Sequence, residues 1–275
     1  MEWKTMILGV EYTEKKENRF YLIDSISDEF KLLLRSNLSE ICYGINKLNI
    51  GISKFSLQNT ARAFLDRFGV LDGEINDRQK GFLGELFVHI LLKNDKNLEP
   101  LSLFFNLEEK SAKKGFDLVF QNKKSQKILL VEVKSGLKLD SHSNVTTTAK
   151  LLIQKAKRDL VSRLSNSNDR ERLWDNAISH AQQAILDSRS EKEALLKLLG
   201  DNWNNLETKQ EFIFAAGVFA DFAEKINIED ICLLNDGFIA DSSMNDYSDK
   251  CTVLVIHTNV YRDLYNFLIE VKTNG

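Results

Sequence analysis

Two acids and a lysine stand at positions in the middle of the chain where they could hold a metal ion. Asp117 precedes the short apolar run 118–120, and Glu132 and Lys134 lie in the longer apolar run 128–134. Because alternate side chains of a strand share one face, Glu132 and Lys134 point the same way. Charged side chains in an apolar strand are costly unless they pair or bind metal. The pattern therefore predicts a site built from two carboxylates and an ammonium group.

The segment between the two runs, residues 121–127, is rich in Lys, Asn and Ser, a composition typical of a hairpin connection. An antiparallel hairpin would set Asp117 beside Glu132, while Val131 and Val133 pack on the opposite face. Carboxylate oxygens are the ligands that Mg²⁺ and Mn²⁺ prefer. We therefore expect a divalent-metal site with Asp117 and Glu132 as ligands.

This order of residues resembles the PD-(D/E)XK nuclease superfamily, in which an acid on one strand and a Glu-x-Lys on the next hold a divalent metal. Phe116 stands where that superfamily has the proline of its Pro-Asp. The resemblance implies a Mg²⁺-dependent deoxyribonuclease, with Mn²⁺ as an alternative cofactor, that hydrolyses phosphodiester bonds. It also implies that the Val133 carbonyl and a glutamate on the preceding helix complete or position the metal shell.

The preceding helix, predicted at residues 78–92, supplies that glutamate as Glu85. Glu85 and His89 are four residues apart and share one polar seam on a helix that is otherwise apolar. We interpret His89 as a hydrogen-bonded core residue, with support of Glu85 as the alternative. Lys134 lies beside two acids, which favour its charged form, so we expect it to orient water and stabilise developing charge. Proton abstraction by Lys134 is the less favoured role.

Basic residues concentrate around this site, although the whole chain carries a net charge of −3. Residues 105–175 contain 15 Lys and Arg against 9 Asp and Glu, a local charge of +6 that leaves −9 for the remainder. A basic strip around a metal site is typical of phosphate binding, and a merely solvated surface is the alternative. We expect DNA as the partner, although sequence does not separate it from RNA. The predicted contacts are Lys113, Lys114, Lys138, Lys155 and Arg158.

Length and composition predict one compact cytoplasmic protein. The 275 residues include a single proline, Pro100, and no linker or low-complexity tract. We find neither a signal peptide nor an apolar run long enough to cross a membrane, so no membrane partner is expected. Cys42, Cys232 and Cys251 are widely spaced, which predicts reduced core residues.

The remaining elements predict an α/β fold with a restriction-endonuclease-like mixed sheet, flanked by helices and extended by N-terminal and C-terminal elaborations. Predicted strands cover residues 5–13, 20–23, 101–107, 116–121, 128–134, 211–220 and 251–257. Predicted helices cover residues 28–34, 38–48, 58–68, 78–92, 149–164, 170–188, 191–199 and 261–271. We separate residues 1–77, a candidate partner-binding layer, from a nuclease domain at 78–275. Residues 221–250 hold eight acids and two lysines and read as a surface excursion.

Four segments carry a closer resemblance. They are Gly84-Glu85-Leu86, the Lys-Lys-Gly-Phe-Asp of 113–117, the Leu-Val-Glu-Val-Lys of 130–134 and the alanine-containing helices that follow. Together they resemble the nuclease subunits of the Hachiman anti-phage defence system, a family once called DUF1837. The resemblance covers residues 80–190 and implies an effector nuclease bound to a helicase, a DNA-translocating ATPase that senses foreign or damaged DNA.

Two other functions stay open at this stage. The chain could be a stand-alone restriction or repair endonuclease, or a non-catalytic scaffold in which the acids only pair with lysines. The intact set of Asp117, Glu132 and Lys134 favours an enzyme. For the helicase contact, the candidate surfaces are the region before residue 78 and the acidic segment 221–250.

Overall fold

The computed structural model describes residues 2–105, 115–186, 192–202 and 209–274. Its strands are β1 (Lys4–Ile7), β2 (Val10–Lys15), β3 (Asn18–Ile23), β4 (Leu98–Pro100), β5 (Leu118–Asn122), β6 (Lys127–Leu137), β7 (Gln210–Phe219) and β8 (Ser248–Thr258). Its helices are α1 (Asp28–Tyr43), α2 (Ile45–Asn49), α3 (Leu57–Phe68), α4 (Asp77–Lys93), α5 (Val145–Ser165), α6 (Ser167–Ala184), α7 (Lys192–Asn202), α8 (Ile228–Ile239), α9 (Ser242–Asn245) and α10 (Tyr261–Asn274).

In the described part of the chain the strands form one eight-stranded sheet, in the order β1-β2-β3-β8-β7-β6-β5-β4. The pairs β3–β8, β8–β7 and β7–β6 are parallel, whereas the outer pairs on both sides are antiparallel. The central strand β7 is buried along its whole length, as expected for a parallel strand covered by helices on both faces. The predicted α/β fold with a mixed, helix-flanked sheet is confirmed.

Apolar side chains on the two faces of the sheet form two cores. α1, α3, α4 and α10 cover one face, where Phe64 and Phe87 are fully buried. α5, α6 and α8 cover the other face, where Ile153 and Trp174 pack among strand residues. Burial of this apolar surface is the main contribution that holds the helices to the sheet.

The alternation of side chains on β6 decides which helices surround the charged residues. Val131 and Val133 belong to the core beneath α4, whereas Leu130 belongs to the core beneath α5. Glu132 and Lys134 continue the series of Leu130 and therefore face α5. The predicted alternation of side chains is confirmed, but the face of Glu132 and Lys134 is packed as well, since Ile128 and Leu130 are buried there.

α4 approaches β6 very closely. The helix begins with a capping box, in which the Asn76 side chain accepts from the Gln79 N–H and the Gln79 side chain accepts from the Asn76 N–H. Farther along, a Cβ atom at Gly84 would lie only 1.7 Å from Ser135 Oγ. Any larger residue at position 84 would push the helix off the strand, so this glycine sets the spacing between α4 and the site-bearing strand.

Two predicted elements of the N-terminal region are wrong in detail. The strand predicted at 5–13 is a hairpin, because the chain turns at Gly9, whose φ of +84° suits glycine. The two helices predicted between residues 28 and 48 are mainly one helix, α1, followed by the short α2. The reason is that Leu34 and Leu38 keep the same buried stripe without interruption.

The strand predicted at 101–107 is also wrong over its described residues, 101–105, while residues 106 and 107 lie outside the described ranges. The strand is β4, which precedes this segment and pairs with β5. After β4 the chain leaves the sheet, because the Phe104 N–H donates to the Ile41 carbonyl of α1 at 2.8 Å. The acidic segment 221–250, predicted as a surface excursion, contains α8, α9 and the start of β8.

Residues before 78 share the sheet and a core with residues after it, since β3 pairs with β8 and α3 packs against α10. The division between 1–77 and 78–275 stays a prediction. Cys42, Cys232 and Cys251 are buried free thiols, as predicted. None of the helices in the described ranges is long and apolar enough to cross a membrane.

Candidate functional site

The β5–β6 hairpin brings Asp117 to the charged residues of β6. Leu118 pairs with Val131 in the antiparallel register, so Asp117, one residue earlier, lies next to Glu132. Asp117 Oδ2 accepts a hydrogen bond of 2.8 Å from the Val133 N–H. The hairpin arrangement predicted from the sequence is present, and a backbone contact fixes the position of the acid.

Glu132 is a buried carboxylate that two cations neutralise. Its side chain is 2% exposed, and its Oε1 accepts a hydrogen bond of 2.6 Å from Lys134 Nζ. Its other oxygen, Oε2, accepts from the guanidinium group of Arg163, which lies on α5. A buried carboxylate is tolerated only when it is paired in this way, because an unpaired buried charge is strongly destabilising.

The environment nevertheless favours the protonated form of Glu132. Burial raises the pKa of Glu132 to about 7, and the nearby charge of Asp117 adds to this effect. Arg163 and Lys134 act in the opposite direction without cancelling it. A divalent cation bound between the two carboxylates would reduce their mutual repulsion.

Lys134 stays protonated in this environment. Burial alone would lower its pKa, but Glu132, Asp117 and the more distant Asp159 outweigh burial and raise the pKa. Asp159 lies on α5, with Oδ2 at 3.5 Å from Lys134 Nζ. A permanently charged ammonium suits electrostatic orientation rather than proton abstraction, which agrees with the role favoured from the sequence.

Glu85 lies on a different element from the other predicted ligands. It is carried by α4, which packs against the Val133 and Ser135 face of β6, and its side chain is half-buried. Its neighbour Gly84 makes the close contact with Ser135. Glu85 is therefore near the strand that bears the site, and its predicted role in the metal shell stays a prediction.

The described residues contain no group of three or more His, Cys, Asp and Glu side chains arranged to hold a metal ion. Asp117 and Glu132 form a pair of carboxylates, and within the same ranges Asp117 Oδ1 has no hydrogen-bond partner. Mg²⁺ commonly binds through one or two carboxylates and keeps several waters. The pair therefore fits a magnesium-type ion, with Asp117 Oδ1 as a candidate ligand atom that no described residue occupies.

The basic strip predicted from the sequence is partly neutralised by acids of the same chain. Lys113 and Lys114 lie outside the described residues. Lys138 Nζ lies 2.7 Å from Glu224 Oε1, so this predicted DNA contact is paired. Lys155 is exposed on α5. Arg158 is 73% exposed, and its Nε lies 3.6 Å from Oδ1 of neighbouring Asp159.

Two further lysines of α5 are held in the same way. Lys150 Nζ lies 2.9 Å from Asp230 Oδ2, and Lys157 pairs with Asp241. These acids belong to the acidic segment 221–250, which therefore packs along α5 instead of projecting freely. The local charge of +6 in the sequence does not become an equally basic free surface.

Sequence reasoning counted Arg163 only as one of the basic residues that flank the site, and it did not connect Asp159 with the site, although both contact its charged residues. The available signal was their spacing of four residues on α5, which places them on one face of that helix. His89 is fully buried, as interpreted, and its ring packs edge-on against Phe120. The expected hydrogen bond is wrong, because neither ring nitrogen has a partner among the described residues.

Comparison with protein-family models identifies the family of the chain. The model of the family described as HamA matches residues 2–271, which is nearly the whole chain. No curated protein and no solved structure matches the chain significantly.

Proposed function

The chain belongs to the HamA family, which makes it a component of Hachiman defence, and we propose that it acts there as a metal-dependent nuclease on DNA. The observation that carries this proposal is the convergence of Asp117, Glu132 and Lys134 at one end of the β5–β6 hairpin. The same three residues carry the resemblance to the PD-(D/E)XK nucleases. Their roles, the metal and the helicase partner are parts of the proposal.

Asp117 and Glu132 would hold the metal ion, with the Val133 carbonyl and Glu85 as the further candidates. Bound there, Mg²⁺ or Mn²⁺ would acidify the attacking water and neutralise charge on the scissile phosphate. The Val133 N–H orients Asp117. This backbone contact fixes the position of Asp117 without help from another side chain.

Lys134 would supply the fixed positive charge of the reaction. Its raised pKa keeps the ammonium protonated, so it can stabilise negative charge that develops on the phosphate oxygens. Asp159 contacts the ammonium from α5 and limits where it can point. The sheet provides the acids, and α5 completes their electrostatic surroundings.

Nuclease assays on the purified chain test this proposal. We expect cleavage of DNA with Mg²⁺ or Mn²⁺ and none in excess chelator. Glu132→Gln should abolish cleavage, and Lys134→Ala should lower its rate by about 100-fold, the usual effect of removing one stabilising group. Lys197→Ala, which removes an exposed lysine of α7, is the matched control and should cleave like the wild type. Full activity of Glu132→Gln would refute the assignment.

A non-catalytic scaffold is the second candidate, and one observation favours it. Both oxygens of Glu132 are already neutralised by Lys134 and Arg163, so the acid has a structural role without any metal. Absence of Mn²⁺ binding to the wild type in calorimetry, together with a lower Tm for Glu132→Gln than for the wild type, would select the scaffold over the nuclease.

We further propose that a DNA-translocating ATPase of the same system delivers or releases this nuclease. The net charge is −3 and two α5 lysines, Lys150 and Lys157, are paired internally, so the chain alone should bind DNA weakly. A partner that grips DNA would supply the missing affinity through effective concentration. The acidic segment is largely used within the chain, which favours the region before residue 78 as the contact surface.

Purification from the native host tests this partnership. A co-purifying ATPase, with cleavage that depends on ATP and DNA, is the expected result. Strong binding to DNA and unregulated cleavage by the chain alone, with no ATPase in the preparation, would instead indicate a stand-alone endonuclease.

A further inference from the structure

Arg163 joins the two segments that carry the proposed metal ligands. Its NH2 group donates to Glu132 Oε2 on β6, and its NH1 group donates to the Gly115 carbonyl at 3.0 Å. Gly115 lies two residues before Asp117. One guanidinium from α5 therefore bridges the segment that precedes the first acid and the side chain of the second acid.

The contact with Arg163 completes the coverage of the Glu132 carboxylate. Lys134 holds Oε1, Arg163 holds Oε2, and the side chain is only 2% exposed. A divalent ion placed between the two acids would lie close to the positive charge of the guanidinium. Repulsion between cations is strong where water is largely excluded, so the ion and Arg163 would oppose each other's binding.

Of the two cations that hold Glu132, Arg163 is anchored on a different element, α5, and its side chain is 26% exposed against 22% for Lys134. Lys134 belongs to β6, whose backbone is fixed by parallel pairing with β7, and it lies only two residues from Glu132. Arg163 reaches the site from α5 through a long side chain that is 26% exposed. Rotation of that side chain towards solvent would free Oε2 without moving the helix.

We propose that Arg163 and the divalent ion compete for Glu132. Arg163 is a positioning residue: it holds and neutralises the carboxylate in the metal-free protein and gives up Oε2 when the ion binds. This inference rests on the proposed function, because it requires that Asp117 and Glu132 form the metal site. Displacing a charge-assisted hydrogen bond then lowers the affinity of the site for metal.

Calorimetric titration of the full chain with Mn²⁺ at pH 8.5 tests the competition. Arg163→Gln should bind Mn²⁺ about tenfold more tightly than the wild type, because no ionic contact has to be broken. Arg163→Lys should fall between them, since a lysine cannot bridge Glu132 and the Gly115 carbonyl as a guanidinium does. Arg62→Gln removes an exposed arginine of α3 and the same charge, and should bind like the wild type.

Thermal unfolding gives a second measurement. Metal-free Arg163→Gln should unfold at a lower temperature than the wild type, because a buried carboxylate has lost a partner. Added Mn²⁺ should raise the Tm of this variant by more than it raises that of the wild type. If Arg163→Gln does not fold, the comparison of Arg163→Lys with the wild type decides the question.

Glu132→Gln separates the two levels of the proposal. Wild-type Mn²⁺ affinity in Glu132→Gln would show that the metal site is elsewhere, and the proposed function would fail. Loss of Mn²⁺ binding in Glu132→Gln, with equal or weaker binding in the Arg163 variants than in the wild type, would overturn the competition alone.

Discussion

The carboxylate of Asp117 accepts a hydrogen bond of 2.8 Å from the backbone N–H of Val133 across the β5–β6 pairing. This contact holds the acid beside Glu132 without help from another side chain. It uses only Oδ2, so the structure orients the carboxylate and leaves Oδ1 for another ligand within the described surroundings.

Replacing Asp117 by asparagine should separate folding from metal binding. The amide oxygen of Asp117→Asn can still accept the hydrogen bond from Val133, so the Tm should change by no more than about 4 °C. The charge is lost, and Mn²⁺ affinity should fall by about 100-fold or more. Calorimetry and thermal unfolding measure the two effects. Asp140→Asn, a change at an exposed acid in the loop after β6, is the control, and equal affinities for the two variants would contradict the prediction.

Metal binding should depend on pH through Glu132. Burial and Asp117 raise the pKa of Glu132 to about 7, so a proton occupies the carboxylate below that pH and competes with the ion. Apparent Mn²⁺ affinity should therefore fall about tenfold for each pH unit below 7 and level off above it. Titrations in buffers of different ionisation enthalpy should show release of about one proton per ion at pH 6. A flat affinity between pH 5.5 and 8 would exclude this coupling.

In the metal-free protein, the stability of the fold should fall as pH rises through the titration range of Glu132, whereas metal affinity rises. An acid whose pKa is raised on folding binds a proton in the native state that the unfolded chain has already lost. Glu132 therefore destabilises the fold progressively as pH rises from its ordinary value of 4.5 to about 7. Bound metal would remove this destabilisation at high pH.

The acids that pair with the basic strip should weaken DNA binding. In the triple variant Glu224→Gln, Asp230→Asn, Asp241→Asn, the paired lysines lose their internal partners. We expect tighter DNA binding, with a plot of log Kobs against log salt that steepens by about 0.9 for each lysine that reaches a phosphate. Fluorescence anisotropy at several salt concentrations with uncleaved duplex measures this slope.

A matched variant controls for net charge in that experiment. Asp66→Asn, Asp72→Asn and Glu74→Gln together remove three exposed acids that belong to none of these ion pairs, and they change the net charge equally. This control should keep the wild-type salt slope. The same slope in both triple variants would mean that overall charge, rather than release of the strip, governs binding.

Burial of His89 should make the fold sensitive to acid. Its ring is fully buried, and burial lowers its pKa to about 3, with a smaller contribution from Lys93. Above pH 6.5, the pKa of a histidine in the unfolded chain, the ring is neutral in both the folded and the unfolded state. As pH falls below 6.5, the unfolded chain binds a proton that buried His89 does not, so the free energy of unfolding decreases by about 1.4 kcal/mol per pH unit. His89→Leu cannot be protonated, so its Tm should decline less than that of the wild type between pH 6.5 and 4.5. Parallel Tm profiles would refute the prediction.

The sequence by itself determined the local framework of the site. The spacing of Glu132 and Lys134 placed them on one face of a strand, and the polar connection before that strand predicted the hairpin that brings Asp117 close. Both follow from the two-residue period of a strand and from turn composition, which are properties of neighbouring residues. The burial of α4 and of the three cysteine thiols could also be predicted, from the apolar composition of the helix and the wide spacing of the cysteines.

Only the tertiary structure decided what surrounds those residues. Arg163 contacts Glu132, which is 31 positions away in the sequence, and Lys150 pairs with Asp230, which is 80 positions away. The same packing sets α4, the helix that carries Glu85, on the face of β6 opposite to α5. Such contacts depend on the angle and distance at which each helix packs on the sheet. Burial of apolar surface between residues distant in sequence determines this packing, and no local sequence pattern encodes it.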